Sequence, residues 1–253
     1  MANREAFSAV IITLNAARQL AACLQSVAFA NEVLVVDCGS TDETLALAQQ
    51  YGVRVLHQDW LGYGAQKQFA ISHAKNDWVL CLDADEQVSS PLRCAIEATL
   101  IAPLAHGFEM PRCNRFMGRW LRHGEGYPDW SLRLFRRSHG RWSDDPVHEK
   151  VILDGIPARL RGDLLHDSAE NLALYLEKQD RYTTLQAQVL HRRGQRVGVV
   201  RMLSSPLLRF VKFYVLRLGF LDGAAGLTHI VIGCRNSYTK YAKLRAYAKA
   251  ARD

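Results

Sequence analysis

The residues with chemical capacity collect at the ends of apolar runs. Residues 8–15 (SAVIITLN) close on Thr13-Leu14-Asn15, and Glu32–Asp37 (EVLVVD) leads into Cys38-Gly39-Ser40-Thr41-Asp42. Trp78–Asp83 (WVLCLD) is followed at once by Ala84-Asp85-Glu86. The abundance of Asp gives roughly one Asp-x-Asp by chance, so Asp83 and Asp85 carry weight through their place and not their spacing. A carboxylate pair at the end of a buried run is costly unless cations or hydrogen bonds compensate. Two hard oxygen donors there suit Mg²⁺ or Mn²⁺, held by few protein groups plus substrate phosphates. The plainer alternative is that both carboxylates cap the turn before Ser90.

These positions require elements that bring three chain ends to one place. The runs are continuous and rich in β-branched residues, as are strands buried on both faces of a parallel sheet, and residues 53–57 add a fourth. Helical patterns separate them. Residues 16–29 set Leu20, Cys23, Leu24 and Val27 on one face. Ser40-Thr41-Asp42-Glu43 reads as a capping box opening a helix over 44–51, and Ser90 as the N-cap, with Pro91 at the first helical position, of one over 92–100. Such alternation predicts right-handed crossovers in an open α/β sheet, with ligands beyond the carboxyl ends of its strands. After Pro103 the rhythm shifts to short strands over 107–117, 131–136, 147–153 and 158–166, completing the sheet in mixed or antiparallel sense. From Ala169 onward the pattern is helical.

Four motifs taken in order, VIITLN, VVDCGSTDET, GYGAQKQFAISHA and WVLCLDADE, resemble the inverting glycosyltransferases of family 2, which have the GT-A fold. Further on, GYPDWSLRLFRR and RWSDDPVHEKV resemble the subgroup of β-1,4-glucosyltransferases that add glucose to heptose in the inner core of bacterial lipopolysaccharide. The resemblance implies a Rossmann-like mixed sheet flanked by helices, with a helical C-terminal extension. It divides the chain into a catalytic domain over 1–167, with a nucleotide-sugar half at 1–103 and an acceptor half at 104–167, and a basic helical region over 168–253. It implies a UDP-sugar donor, most simply UDP-glucose, a lipopolysaccharide-core acceptor, and Mg²⁺ or Mn²⁺ as cofactor. Thr13, Asn15, Arg18 and Asp37 would meet the nucleoside, and Asp85 with Asp83 the metal-diphosphate. Gly39, Ser40, Lys67, Ala84 and Arg133 complete the implied nucleotide-sugar set. The sequence departs from the family at Ala16-Ala17, where an acidic residue is commoner.

Transfer needs a neutralised diphosphate and an acceptor hydroxyl that loses its proton as it attacks. Metal at Asp85, aided by Lys67 or Arg133, answers the first need. For the second, Asp129, Asp144, Asp145 and Glu149 are available. Glu149 in Pro146-Val147-His148-Glu149 is the first choice, because a carboxylate in a short apolar run needs a reason, and Asp145 follows. His148 could ligate the metal or orient the carboxylate; alternation of His148 and Glu149 across an exposed strand is the bland reading. Trp120, Trp130, Trp142 and Tyr127 offer faces for sugar rings or for core packing.

The formal charge of +7 is unevenly spread, at −2 up to Leu160 and +9 beyond it. An anionic surface is therefore expected to meet the C-terminal part. Residues 204–221 (SSPLLRFVKFYVLRLGFL) predict an amphipathic helix with Arg209, Lys212 and Arg217 off its apolar side. Such a helix can lie on an anionic membrane, or pack on the catalytic domain or on a second copy in a homo-oligomer. No nucleic-acid reading motif accompanies the charge. The six cysteines lack Cys-x-x-Cys spacing and read as reduced core residues, and no run reaches about 18 uncharged apolar residues. The expected location is the cytoplasm, peripheral at the inner face of the inner membrane. Rival readings are a family 2 transferase for another lipid-linked or cell-surface glycan, and a non-catalytic nucleotide- or lipid-binding protein of this fold. The first turn has no glycine, which excludes a Gly-x-Gly-x-x-Gly dinucleotide site.

Overall fold

Four apolar runs form parallel strands: β1 (Phe7–Thr13), β2 (Glu32–Asp37), β3 (Arg54–His57) and β4 (Trp78–Asp83). The computed structural model describes residues 4–145, 149–167 and 172–250, and it divides into two units, Met1–Arg112 with Asp129–Asp167 and Cys113–Pro128 with Ser168–Asp253. The division differs from a break at 167/168, because residues 113–128 pack among the C-terminal helices: Phe116 lies 5.2 Å from the rings of both Tyr175 and His229.

In the first unit the helices between strands are α1 (Ala17–Ser26), α2 (Thr44–Gln50), α3 (Tyr63–Ser72) and α4 (Ser90–Thr99). The later strands are β5 (Glu86–Val88), β6 (Gly107–Phe116), whose end enters the second unit and pairs there with β7 (Arg119–Trp120), β8 (Asp129–Arg136), β9 (Gly140–Trp142), β10 (Val151–Leu153), β11 (Ala158–Arg159) and β12 (Leu164–His166). The sheet runs β3-β2-β1-β4-β8-β6-β12-β5, with β8 antiparallel to β4 and to β6, and β12 antiparallel to β5. Alternation along β1 explains why it must be central. Phe7, Ala9 and Ile11 pack with Leu20, Cys23 and Leu24 of α1 and Leu92 and Ile96 of α4, while Val10 and Ile12 pack with Ala70 and Ile71 of α3 and with Trp142. β1, β2 and β4 are therefore buried along both faces, as a parallel sheet covered on two sides demands, whereas β3 at the sheet edge exposes Arg54 and His57.

Two helix starts differ from expectation. The Ser40 hydroxyl bonds Asp37 instead of capping α2, whose entry is held by Asp42 accepting from the Thr44 amide at 3.0 Å. The α4 cap is Ser89, which accepts from Leu92 N, so that Ser90 is already helical. Of the cysteines, Cys23, Cys81 and Cys113 are buried as expected, whereas Cys94 is exposed; all six are free. Burial pushes the Cys81 thiol up to about 12, so it is neutral in the core.

In the second unit α5 (Leu172–Arg192), α6 (Val199–Phe210) and α7 (Gly223–Ala250) pack together. The continuous helix expected over 204–221 is broken: α6 passes into a π-helical turn at Val211–Leu216 and a 3-10 turn at Gly219–Asp222. Among the described residues no single helix is long and apolar enough to cross a membrane.

Candidate active site

Strand register assembles the first part of the site. Thr13 lies beside Asp37 and Ile12 beside Asp83, so that β1, β2 and β4 release their chains at one edge. Asp37 is 1% exposed and accepts from Thr13 Oγ1 at 2.9 Å, from the amides of Gly39 (2.9 Å) and Ser40 (2.8 Å), and from the Ser40 hydroxyl. Burial alone would raise its carboxyl, but these donors outweigh burial and hold it below the usual range. Gly39 has φ +101°, a conformation that a side chain would strain. Asn15, at φ 50°, locks the two loops together: its amide donates to Ser40 Oγ at 2.8 Å and its Oδ1 accepts from Thr41 N at 2.9 Å. Thr13, Asn15, Asp37, Gly39 and Ser40 thus form one hydrogen-bonded floor, with Asp37 as its brace. Arg18 is exposed on α1.

The second part is a charged cluster. Lys67, 4% exposed on α3, reaches Asp83 Oδ1 at 3.0 Å and Glu149 Oε1 at 3.1 Å, with its ammonium 4.8 Å from the centre of the Trp142 ring. Arg133, from β8, reaches Asp83 Oδ2 at 3.0 Å and the fully buried Glu86 at 2.7 Å. Burial would raise the Asp83 carboxyl, but Arg133 and Lys67 prevail and hold it well below the carboxylate range. Arg133 shows the mirror effect: burial opposes its charge, and Glu86 and Asp83 push its pKa above the ordinary value.

Glu149 arrives through the hairpin of β9 and β10, closed by Ser143 N to Lys150 O at 2.8 Å. α3 approaches this hairpin so closely that a Cβ on Gly64 would lie 2.2 Å from the Ser143 carbonyl oxygen and 3.5 Å from Glu149 Cβ. Lys67, Asp83, Arg133, Trp130, Trp142 and Glu149 line a cavity of about 560 Å³, within the usual span of small-molecule sites, about 300–1,000 Å³. Asp144 and Asp145 are exposed and lie outside that lining. Asp129 is held by Arg112 at 2.7 Å.

Asp85 stands apart from the Asp83 cluster. His166 Nε2 is 3.3 Å from Asp85 Oδ2 because β12 pairs with β5 so that His166 faces Glu86, and Asp167 N bonds Asp85 O at 3.0 Å. Sequence reading missed both Glu86 and His166. Glu86 was visible as the residue after the acidic pair. His166 closes an apolar triplet 80 residues downstream, and only the pairing with β5 gives it meaning. His148, expected near the metal, lies outside the described residues. Among the described residues no three His, Cys, Asp or Glu side chains converge as a metal set. Asp85 and His166 supply an oxygen and a nitrogen donor, and they fit a divalent ion that takes its remaining ligands from a diphosphate. Asp83, with both oxygens occupied by cations, fits that task less well. Ala84 links the two carboxylates and packs against the core.

Residues 8–96 match the model for glycosyl transferase family 2. The chain is 29% identical over 250 residues to the lipopolysaccharide core biosynthesis glycosyltransferase LpsC of Rhizobium meliloti, covering 93% of each protein. It is 33% identical over 147 residues to a PGL/p-HBAD biosynthesis glycosyltransferase of Mycobacterium bovis, covering 52% of this chain and 55% of that one. Among solved structures, the mannosyltransferase PcManGT of Pyrobaculum calidifontis, in complex with GDP-Man and Mn²⁺, superposes with a TM-score of 0.55 at 17% identity, covering 97% of this chain and 86% of that one. The mixed sheet, its flanking helices and the matched motifs agree on one assignment: the chain is a glycosyltransferase of the GT-A fold with a family 2 glycosyl transferase domain over residues 8–96.

Proposed function

We propose that this enzyme transfers glucose from UDP-glucose, with inversion, to a heptose of the lipopolysaccharide inner core, working at the cytoplasmic side of a membrane. The observation that carries the reading is one cavity holding a carboxylate, Glu149, beside the buried cations Lys67 and Arg133. Glu149 takes the proton of the acceptor hydroxyl as its oxygen bonds to the anomeric carbon, while the bond from that carbon to the diphosphate oxygen breaks on the opposite face. Asp85 and His166 would hold Mg²⁺ or Mn²⁺, which supplies neutralisation of the leaving diphosphate. Lys67 and Arg133 keep Asp83 ionised and add positive charge to the lining of the cavity. Trp130 and Trp142 offer faces for the sugar rings.

Similarity to a lipopolysaccharide core enzyme supports the acceptor class; a second reading, another lipid-linked or cell-surface glycan, is favoured by similarity over half the chain to a PGL/p-HBAD biosynthesis glycosyltransferase. The test is a panel of nucleotide sugars with purified enzyme, Mn²⁺, Mg²⁺ or EDTA, with and without heptose-terminated lipopolysaccharide core. The expected result is metal-dependent release of UDP from UDP-glucose, accelerated by the core acceptor. Turnover undiminished in EDTA would overturn the metal role, and acceleration by another glycolipid alone would overturn the acceptor.

A further inference from the structure

The second unit exposes apolar residues along a stretch that ends in an anchored turn. α6 has no buried residue, and Val200 is 80%, Leu207 64%, Leu208 67% and Leu216 73% exposed. Leu203, Val215, Leu218, Phe220 and Leu221 are also exposed. Exposed apolar side chains this dense along one stretch, residues 200–221, exceed the singly scattered ones usual on a protein surface and point to an interaction site.

The backbone beneath it is anchored. Gly124 N bonds Arg217 O at 2.9 Å, Arg119 Nη2 bonds Leu221 O at 3.0 Å, and buried Asp222 accepts from the amides of Arg122 and His123 at 2.9 and 2.8 Å. Gly219 cannot carry a side chain, since a Cβ would meet the Phe213 carbonyl oxygen at 2.6 Å. The π-helical and 3-10 turns are therefore fixed, and α6 with its π turn bends by 76° from the segment 219–250. The apolar side chains project from a built corner.

Charge selects the occupant. Between Asp180 and Asp222 the sequence has no acidic residue, whereas Arg181, Arg192, Arg193, Arg196, Arg201 and Lys212 are among its bases. Arg209, expected to face a membrane, instead pairs with Glu125 through Nε at 3.0 Å, while Lys212 and Arg217 remain exposed beside the Phe213 ring. A second copy placed on this surface would bring basic segment against basic segment, whereas anionic headgroups around an apolar interior complement both features.

We propose that residues 199–221 form a membrane-docking wedge that inserts Val200, Leu207, Leu208 and Leu216 into one leaflet of an anionic phospholipid bilayer. The wedge deepens the reading of a lipid-anchored acceptor, and its lipid binding is measurable without that acceptor. Parent protein should float with phosphatidylglycerol-containing vesicles at low salt. It should keep a substantial part of that binding at about 1 M salt, where screening over about 3 Å removes the charge attraction. Replacing Val200, Leu207, Leu208 and Leu216 together by Ser should lower partitioning by about a hundredfold or more at both salts, with circular dichroism unchanged. Leu208→Trp should gain fluorescence that brominated acyl chains quench beyond the parent level, a readout independent of the quadruple variant. Parent-like flotation of the quadruple variant, a parent that does not float, or a parent dimer that the quadruple substitution turns into monomer would each overturn the wedge. Absence of donor hydrolysis with vesicle binding intact would overturn the transferase reading and uphold the wedge.

Discussion

Glu149 and Asp85 make separable demands on the reaction, and substitution distinguishes them. Glu149→Gln keeps the size of the side chain and should leave UDP-glucose binding by calorimetry within a few-fold of the parent, while lowering transfer by about 10²–10⁴-fold. Transfer at the parent rate would remove Glu149 from the base role. His166→Ala should weaken Mn²⁺ binding in the presence of UDP, followed by electron paramagnetic resonance, by about 10–100-fold. Asp85→Asn should weaken it at least as much. Asp83→Asn should behave differently, because Lys67 and Arg133 would remain buried without their shared counter-charge. Its signature is lost stability, about 1–3 kcal/mol in urea melts because Glu149 and Glu86 still face the two cations, more than lost metal affinity. At this scale the sequence revealed which residue types end the strands and hid their division of labour. Asp83 and Asp85 look equivalent in the motif, and only Lys67 and Arg133, 16 and 50 residues away, make the first of them a structural ion.

At the scale of elements, β1, β2 and β4 were legible because burial on both faces leaves an unbroken β-branched run, and β2 and β4 begin and end where those runs do. The short strands were less so. β12 is three residues long and derives its place from pairing with β5, a non-local contact that no periodicity encodes, which is why His166 went unread. The C-terminal segment misled in another way: its helical period is real, but Arg209 faces Glu125 and a π turn interrupts the register of the apolar stripe. The hairpin carrying Glu149 depends on α3 coming close, and Gly64 is the residue that allows it. Gly64→Ala would place a methyl against the Ser143 carbonyl and move the hairpin. Transfer should fall by at least about tenfold through misplacement of Glu149, while calorimetric binding of the UDP moiety, whose implied contacts are on the β1 and β2 loops, should change little. A variant with unchanged transfer would show that the hairpin accommodates the displacement and that its position does not limit the chemistry.

For the molecule as a whole, acid sensitivity should follow the uneven distribution of carboxylates. Glu32, Asp37, Asp77 and Asp83, all in the first unit, have carboxyls held below their ordinary values. For Glu32 burial opposes the charge, but Ser8 Oγ and Lys75 N, each at 2.6 Å, and Arg54 at 3.1 Å outweigh it. A group whose folded pKa is depressed binds fewer protons in the native than in the unfolded chain between the two values, so stability rises with pH across that window. The contribution is full above the unfolded values, about 4 for Asp and Glu, and is lost as pH falls below them toward the folded ones. With a net charge already at +7 near neutrality, protonation of the remaining carboxylates adds repulsion in the same direction. Urea melts should therefore show a stability plateau above about pH 5 and a steep decline below about pH 4. Glu32→Gln should lower the plateau, because Arg54 loses its partner, yet reduce the steepness of the decline, because one depressed carboxyl no longer titrates. A Glu32→Gln profile parallel to that of the parent would show that Glu32 contributes no pH-dependent stability, leaving the slope to Asp37, Asp77, Asp83 and the rising charge.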